Sequence, residues 1–177
     1  MSEHGHLDQI GVVVGALTDF GAEPTLVGGM ALVILGSQRV TRAFDFVVAH
    51  PKERVGQLVD LLYGLGFELV SRFDHNGEVG ATIDNRRVAA ARLRIDAPAS
   101  ASFFSPASRL RFDLLFDFPI AASELAGRSV RRKIRSLVLH IASDEDLLQL
   151  KRIAHADRAS ASDAHDIAFL EARRDRT

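Results

Sequence analysis

Cysteine is absent from the 177 residues, which excludes disulfides, thiolate nucleophiles and cysteine-ligated zinc. No apolar run approaches the roughly 20 residues that a membrane-spanning helix needs. The first residues, MSEHGHLDQ, lack the basic-then-apolar pattern of a secretion signal. A cytoplasmic protein without membrane association is therefore expected. An excess of either charge is missing too, since 22 Lys and Arg against 23 Asp and Glu leave a net −1. Any contact with nucleic acid must then come from a local patch rather than from a global field. No internal repeat and no linker divides the chain, so one domain over 1–177 is expected, with 1–6 and 174–177 as disordered tails.

What is present is an ordinary globular composition, 47% hydrophobic and 25% charged, with clear periodicities. Leu7, Ile10, Val14, Leu17 and Phe20 recur at helical spacing, and Gly21 is placed to end that helix. Thr25 to Val27 reads as a buried strand, followed by a helix through Met30 to Leu35. Phe44 to Ala49 is a second strand, and Val55, Leu58, Val59, Leu62 and Leu65 mark another helix. A hairpin is expected around Asp74-His75-Asn76-Gly77, between strands at 67–72 and 79–83. Val88 to Ile95, Arg109 to Phe116 and Leu137 to Ile141 read as further strands, with an exposed, mobile loop of small residues and prolines over 97–108. Ser143 with Asp146 opens a helix as a capping box, and a last helix spans about 163–173 with Ile167 and Leu170 inward. This order predicts an α+β fold, a mixed sheet with flanking helices.

The most informative stretch runs from Leu26 to Val48. Gly28 and Gly29 close an apolar run, and Ala43-Phe44-Asp45-Phe46 opens the next one. Glycines let a backbone approach a phosphate with no Cβ between. A strand carboxylate among apolar residues can hold a hard cation such as Mg²⁺ against that phosphate. Residues 43 and 45 share a strand face, so two side chains there would meet one metal. A third carboxylate is available in Leu110-Arg111-Phe112-Asp113-Leu114, where an unpaired buried ion would cost several kcal/mol. Asp113 is the first candidate for it, and Asp117, next to Phe118-Pro119, is the alternative.

Together these residues resemble the signature of the nucleotidyltransferase superfamily: an apolar residue with Gly-Gly or Gly-Ser, a short gap, then two acidic residues alternating with apolar ones. That resemblance implies transfer of a nucleoside monophosphate from a nucleoside triphosphate to an acceptor, with two Mg²⁺ ions in an intact site. It implies Asp45 and Asp113 as metal ligands and Gly28 and Gly29 along the triphosphate, assisted by Ser37, Arg39 or Thr41. The first acidic position is occupied by Ala43, whose methyl cannot ligate a cation. Transfer is expected to be impaired, since misplacing a reacting group by an ångström can cost ~100-fold. Either the natural chain carries an aspartate at position 43, replaced here to silence a toxic or reactive enzyme, or the chain is naturally degenerate and retains binding alone.

A narrower resemblance covers residues 24 to 171. Gly-Gly-Met-Ala with Gly36, Arg39 and Thr41, the strand Arg111 to Leu115, the helix core Leu147-Leu150-Lys151, and then Arg158, Asp163, Asp166, Ile167 and Leu170 are similar to the AbiEii-type toxin nucleotidyltransferases. This implies a macromolecular acceptor such as a tRNA end or a protein hydroxyl, a possible cognate antitoxin, and Lys151 reaching a phosphate or the reacting centre as a point charge. Arg158, Asp163 and Asp166 are equally suited to bracing the last two helices. Two other readings are open, namely transfer to a small-molecule (antibiotic) hydroxyl, and a non-catalytic nucleotide-binding module. His4, His6, His155 and His165 have no metal-ligand spacing and read as surface or bracing residues. Basic runs at Arg131-Arg132-Lys133-Ile134-Arg135 and at Arg86, Arg87, Arg92 and Arg94 are solvated faces or phosphate contacts, without interleaved aromatics for base stacking.

Overall fold

The computed structural model describes residues 3–176. Helix α1 (Glu3–Phe20) buries Ile10, Val13 and Leu17 completely. It ends where Gly21 turns with φ +90°, its N–H donating to Thr18 and that of Ala22 to Leu17. There follow β1 (Thr25–Val27), α2 (Gly28–Ile34), β2 (Phe44–Val48), a 3₁₀ turn at Lys52–Arg54, α3 (Val55–Gly64), β3 (Glu68–Phe73) and β4 (Val79–Ile83). The second half contains α4 (Arg86–Asp96), β5 (Ser100–Phe104), β6 (Arg111–Phe116), α5 (Ala122–Arg128), β7 (Val130–Ile134), β8 (Leu137–Ile141), α6 (Asp144–Arg158) and α7 (Ala161–Asp175).

The eight strands form one sheet in the order β4-β3-β5-β6-β2-β1-β8-β7. The β2–β6 and β1–β8 pairs are parallel and the others antiparallel, so the sheet is mixed, as the sequence predicts. Along β6, Phe112, Leu114 and Phe116 are buried while Arg111, Asp113 and Leu115 are half-buried on the opposite face. That alternation is what presents a charged residue at mid-sheet without placing it in the core. Phe112 anchors the apolar face, with its ring 4.8 Å from Phe67 and 5.6 Å from Phe103. No helix among the described residues is long and apolar enough to cross a membrane.

Several expectations are corrected. Residues 88–95 form helix α4 rather than a strand. Asn85 caps it, accepting from the Arg87 and Val88 N–H groups, and Ala89, Ala90 and Leu93 make a helical buried stripe. The small-residue segment expected as a mobile loop contains β5, paired on both sides, with Ala101, Phe103 and Phe104 buried. Helix α5 went unrecognised, and the basic run 131–135 is largely an edge strand, β7. Residues 3–6 and 174–175, expected in tails, belong to α1 and α7, while residues 1, 2 and 177 lie outside the described residues. Ser143 caps α6 by accepting from the Asp146 N–H, but the Asp146 carboxylate takes Arg128 at 2.9 and 3.1 Å rather than closing a capping box.

Candidate functional site

Asp45 and Asp113 are direct neighbours across the parallel β2–β6 pair. On the other side of β2, Asp45 is opposite Val27, the last residue of β1 before the glycines. Gly28 turns the chain out of β1 with φ +71°, and a Cβ there would lie 2.2 Å from Asp45 Oδ2. Only glycine fits between the turn and that carboxylate. Gly29 is also close to a side chain, though less tightly, since a Cβ on it would meet Arg39 Cζ at 2.9 Å. Register and turn thus bring the diglycine and both carboxylates together.

The two carboxylates do not share an environment. Arg111, two residues before Asp113 on the same strand face, clasps both Asp113 oxygens at 3.0 and 2.8 Å. The Asp45 carboxyl is pushed up to about 7, chiefly by burial and then by the Asp113 charge and a shared hydrogen bond, with Arg111 and Lys151 opposing. Such a group binds its proton more tightly folded than unfolded. Stability from it is complete at acid pH and falls as pH rises from about 4 towards 7. In metal-free buffer, the melting temperature of the wild type relative to Asp45→Asn should therefore decline over that window and level off above it. A pH-independent difference in a thermal-shift series would contradict the assignment.

Lys151, on α6, lines the same cleft but is already engaged. Its ammonium lies 2.9 Å from Asp166 and 3.8 Å from Asp163, both on α7 and both buried. Arg158 binds Asp163 at 2.6 and 2.8 Å, which holds that carboxyl well below the usual carboxylate range. Arg39 also pairs with Asp166. One network therefore ties the loop before β2 to α6 and α7. Arg158, Asp163 and Asp166 brace the helices, and Arg158 additionally lines the cleft.

The cleft has a volume of about 470 Å³, within the range of small-ligand sites. Val27, Gly28, Asp45, Asp113 and Lys151 line one part of it; Ser37, Arg39 and Thr41 do not line it. Ser37 accepts from the Arg39 N–H at 3.3 Å and so shapes the loop. Asp117, the alternative third carboxylate, is excluded by its hydrogen bonds. It accepts from the His50 and Ala122 N–H groups, both at 2.8 Å, and fixes the turn into α5. His6 braces α1 through the Ser108 carbonyl, His165 is exposed, and the His4 side chain lies outside the described residues. The sequence reading missed the Arg111 clasp and the apolar wall of the cleft. An Arg at i−2 on a strand was the available signal for the first, and none existed for the second.

The donor set is two hard carboxylate oxygens sources beside a turn open to phosphate. It suits one Mg²⁺ completed by phosphate and water, a common arrangement for that ion. Among the described residues no group of three or more acidic or histidine side chains is placed to hold a metal, and Ala43 supplies no further donor.

No protein-family model matches the chain, and no curated protein sequence matches it significantly. Its fold is similar to three solved structures. The lincosamide antibiotic adenylyltransferase LnuA with lincomycin bound has a TM-score of 0.57 and 11% identity, over 97% of each chain. An antigenic nucleotidyltransferase-like protein from Paracoccidioides brasiliensis gives 0.60 and 17%, over 96% of this chain and 77% of that one. The antibiotic-resistance factor ANT(2'')-Ia gives 0.59 and 11%, over 96% and 84%. At these identities the likeness establishes the fold alone, the mixed-sheet α+β architecture that this chain shares with those structures.

Proposed function

We propose that the cleft binds a nucleoside triphosphate with one Mg²⁺ and transfers its nucleoside monophosphate to an acceptor hydroxyl, at a rate held down by Ala43. The observation that carries this reading is the in-register Asp45–Asp113 pair beside a Gly28 turn that tolerates no side chain. Mg²⁺, when bound, offsets the triphosphate charge and favours ionisation of the attacking hydroxyl. Arg111 fixes the Asp113 carboxylate, Asp45 and Asp113 would hold the cation, and the acceptor's proton passes to solvent water as the new oxygen–phosphorus bond forms. The bond between the α- and β-phosphates breaks, and pyrophosphate leaves with the electron pair. Lys151 supplies positive charge near the phosphates, oriented by Asp163 and Asp166. Arg39, against Gly29 and paired with Asp166, supports the diglycine turn from outside the cleft, and Ser37 shapes the loop that carries it.

The motif resemblance to AbiEii-type toxins supports a tRNA or protein acceptor and an antitoxin partner. The likeness to two antibiotic-resistance proteins supports a small one. A binding-only module is the second reading, favoured by Ala43 itself.

Calorimetric titration with MgATP tests the site. Wild-type protein should bind, whereas Asp45→Asn and Gly28→Val should each bind at least ~10-fold more weakly, about 1.4 kcal/mol. Asp45→Asn also removes a like-charge contact, so it should be more stable than wild type at pH 8, and its lost binding cannot be ascribed to unfolding. Undiminished MgATP binding by Asp45→Asn would overturn the reading.

A further inference from the structure

We propose that the part of the cleft beyond the carboxylates receives the acceptor, and that this acceptor is a small molecule with an apolar ring and an uncharged or cationic head rather than a polynucleotide. The inference rests on the transfer reading above and deepens it. Leu115, Phe118 and Pro119, together with Leu150, Ile153 and Ala154 of α6, give the cleft an apolar lining. Phe118 is 50% exposed. A half-exposed aromatic ring in an apolar lining offers a stacking platform to a flat ligand.

The charge at this end argues in the same direction. Lys151 and Arg158 are matched by the buried Asp163 and Asp166. Asp157, on the same helix and lining the cleft, is exposed and has no ion-pair partner among the described residues. The unmatched charge in the slot is therefore negative, which repels a phosphate backbone and attracts an ammonium. A polynucleotide needs unpaired cations. Those occur elsewhere, on Arg131 and Lys133 of β7 and the adjoining Arg135. That strand is at the sheet edge, three strands from β2, about 14 Å away at ~4.8 Å per strand.

The test uses the full chain, titrated with tryptamine, indole and a 12-nucleotide oligoadenylate, each with and without MgATP, by calorimetry and amide NMR. Tryptamine should bind and shift the Phe118, Leu150 and Ile153 resonances. Phe118→Ala should weaken it ~10-fold, the loss of about 1.4 kcal/mol. Asp157→Asn should weaken tryptamine about threefold and leave indole unchanged. Saturating MgATP should leave tryptamine bound. Displacement of tryptamine by MgATP would assign the slot to the donor's base and overturn the proposal. So would oligoadenylate shifting those resonances, or tryptamine affinity indifferent to both substitutions. MgATP binding without tryptamine binding overturns this inference alone, whereas failure of MgATP to bind overturns the transfer reading beneath it.

Discussion

Ala43→Asp is expected to raise nucleotide transfer by at least ~100-fold, the scale on which a misplaced reacting group is felt. Position 43 directly precedes β2 and shares a strand face with Asp45. Phe44 pairs with Phe112, so the alternation sets the residue 43 side chain beside Arg111. A carboxylate there would complete a three-acid set around the cation and draw part of the Arg111 charge away from Asp113. The gain should be read as labelled pyrophosphate released, and as label from the α-phosphate appearing in the acceptor. Incorporation into RNA or protein, or into a small molecule, identifies the acceptor class directly. The same substitution should lower the metal-free melting temperature, because three carboxylates repel one another, and should enlarge the stabilisation given by Mg²⁺. A variant with no new transfer and no added response to Mg²⁺ would leave only the binding module.

Asp166→Ala should destabilise the fold by about 3 kcal/mol, because it removes the nearest carboxylate from the buried Lys151 and the partner of the partly exposed Arg39. Asp166 is 3% exposed and holds both Arg39 and Lys151, so its removal detaches the loop before β2 from α6 and α7 together. For a domain of this size the melting temperature should drop by roughly 10 °C. Asp166→Asn retains the volume and a hydrogen-bond acceptor and should lose less. The same network governs acid stability. Asp163 is held below its ordinary range by Arg158, so its contribution is present above about pH 4 and is lost as pH falls further. Equal melting temperatures for wild type and Asp166→Ala would show that the network is energetically idle.

The carboxylate site was legible because charge on a strand contradicts its apolar neighbours. Asp45 among Phe44, Phe46 and Val47, and Asp113 among Phe112 and Leu114, are placed where only a functional or paired ion is tolerated. The glycines were legible for a related reason, since an apolar strand has no other use for two of them. Elements misread in the sequence failed through local ambiguity. Residues 88–95 carry Val, Leu and Ile close enough to alternation to pass for a strand, although Asn85 and the alanines favour a capped helix. Residues 100–104 look like loop because Ser100, Ala101 and Ser102 are small, yet Phe103 and Phe104 pair with β3 and are buried, which holds β5 between β3 and β6. The Lys151–Asp166–Arg39 network joins residues far apart in the chain, and no spacing rule reaches across that distance. The apolar lining of the cleft was hidden likewise, since Phe118 and Ile153 come to line one cleft only through the tertiary fold.

Mn²⁺ titration in the presence of ATP, followed by electron paramagnetic resonance, tests the cation cradle most directly. Wild-type protein should take up one Mn²⁺ per chain. Asp45→Asn and Asp113→Asn should each abolish that uptake, and Ala43→Asp should raise it to two. Uptake that persists when either carboxylate is replaced would contradict the proposal that Asp45 and Asp113 hold the cation.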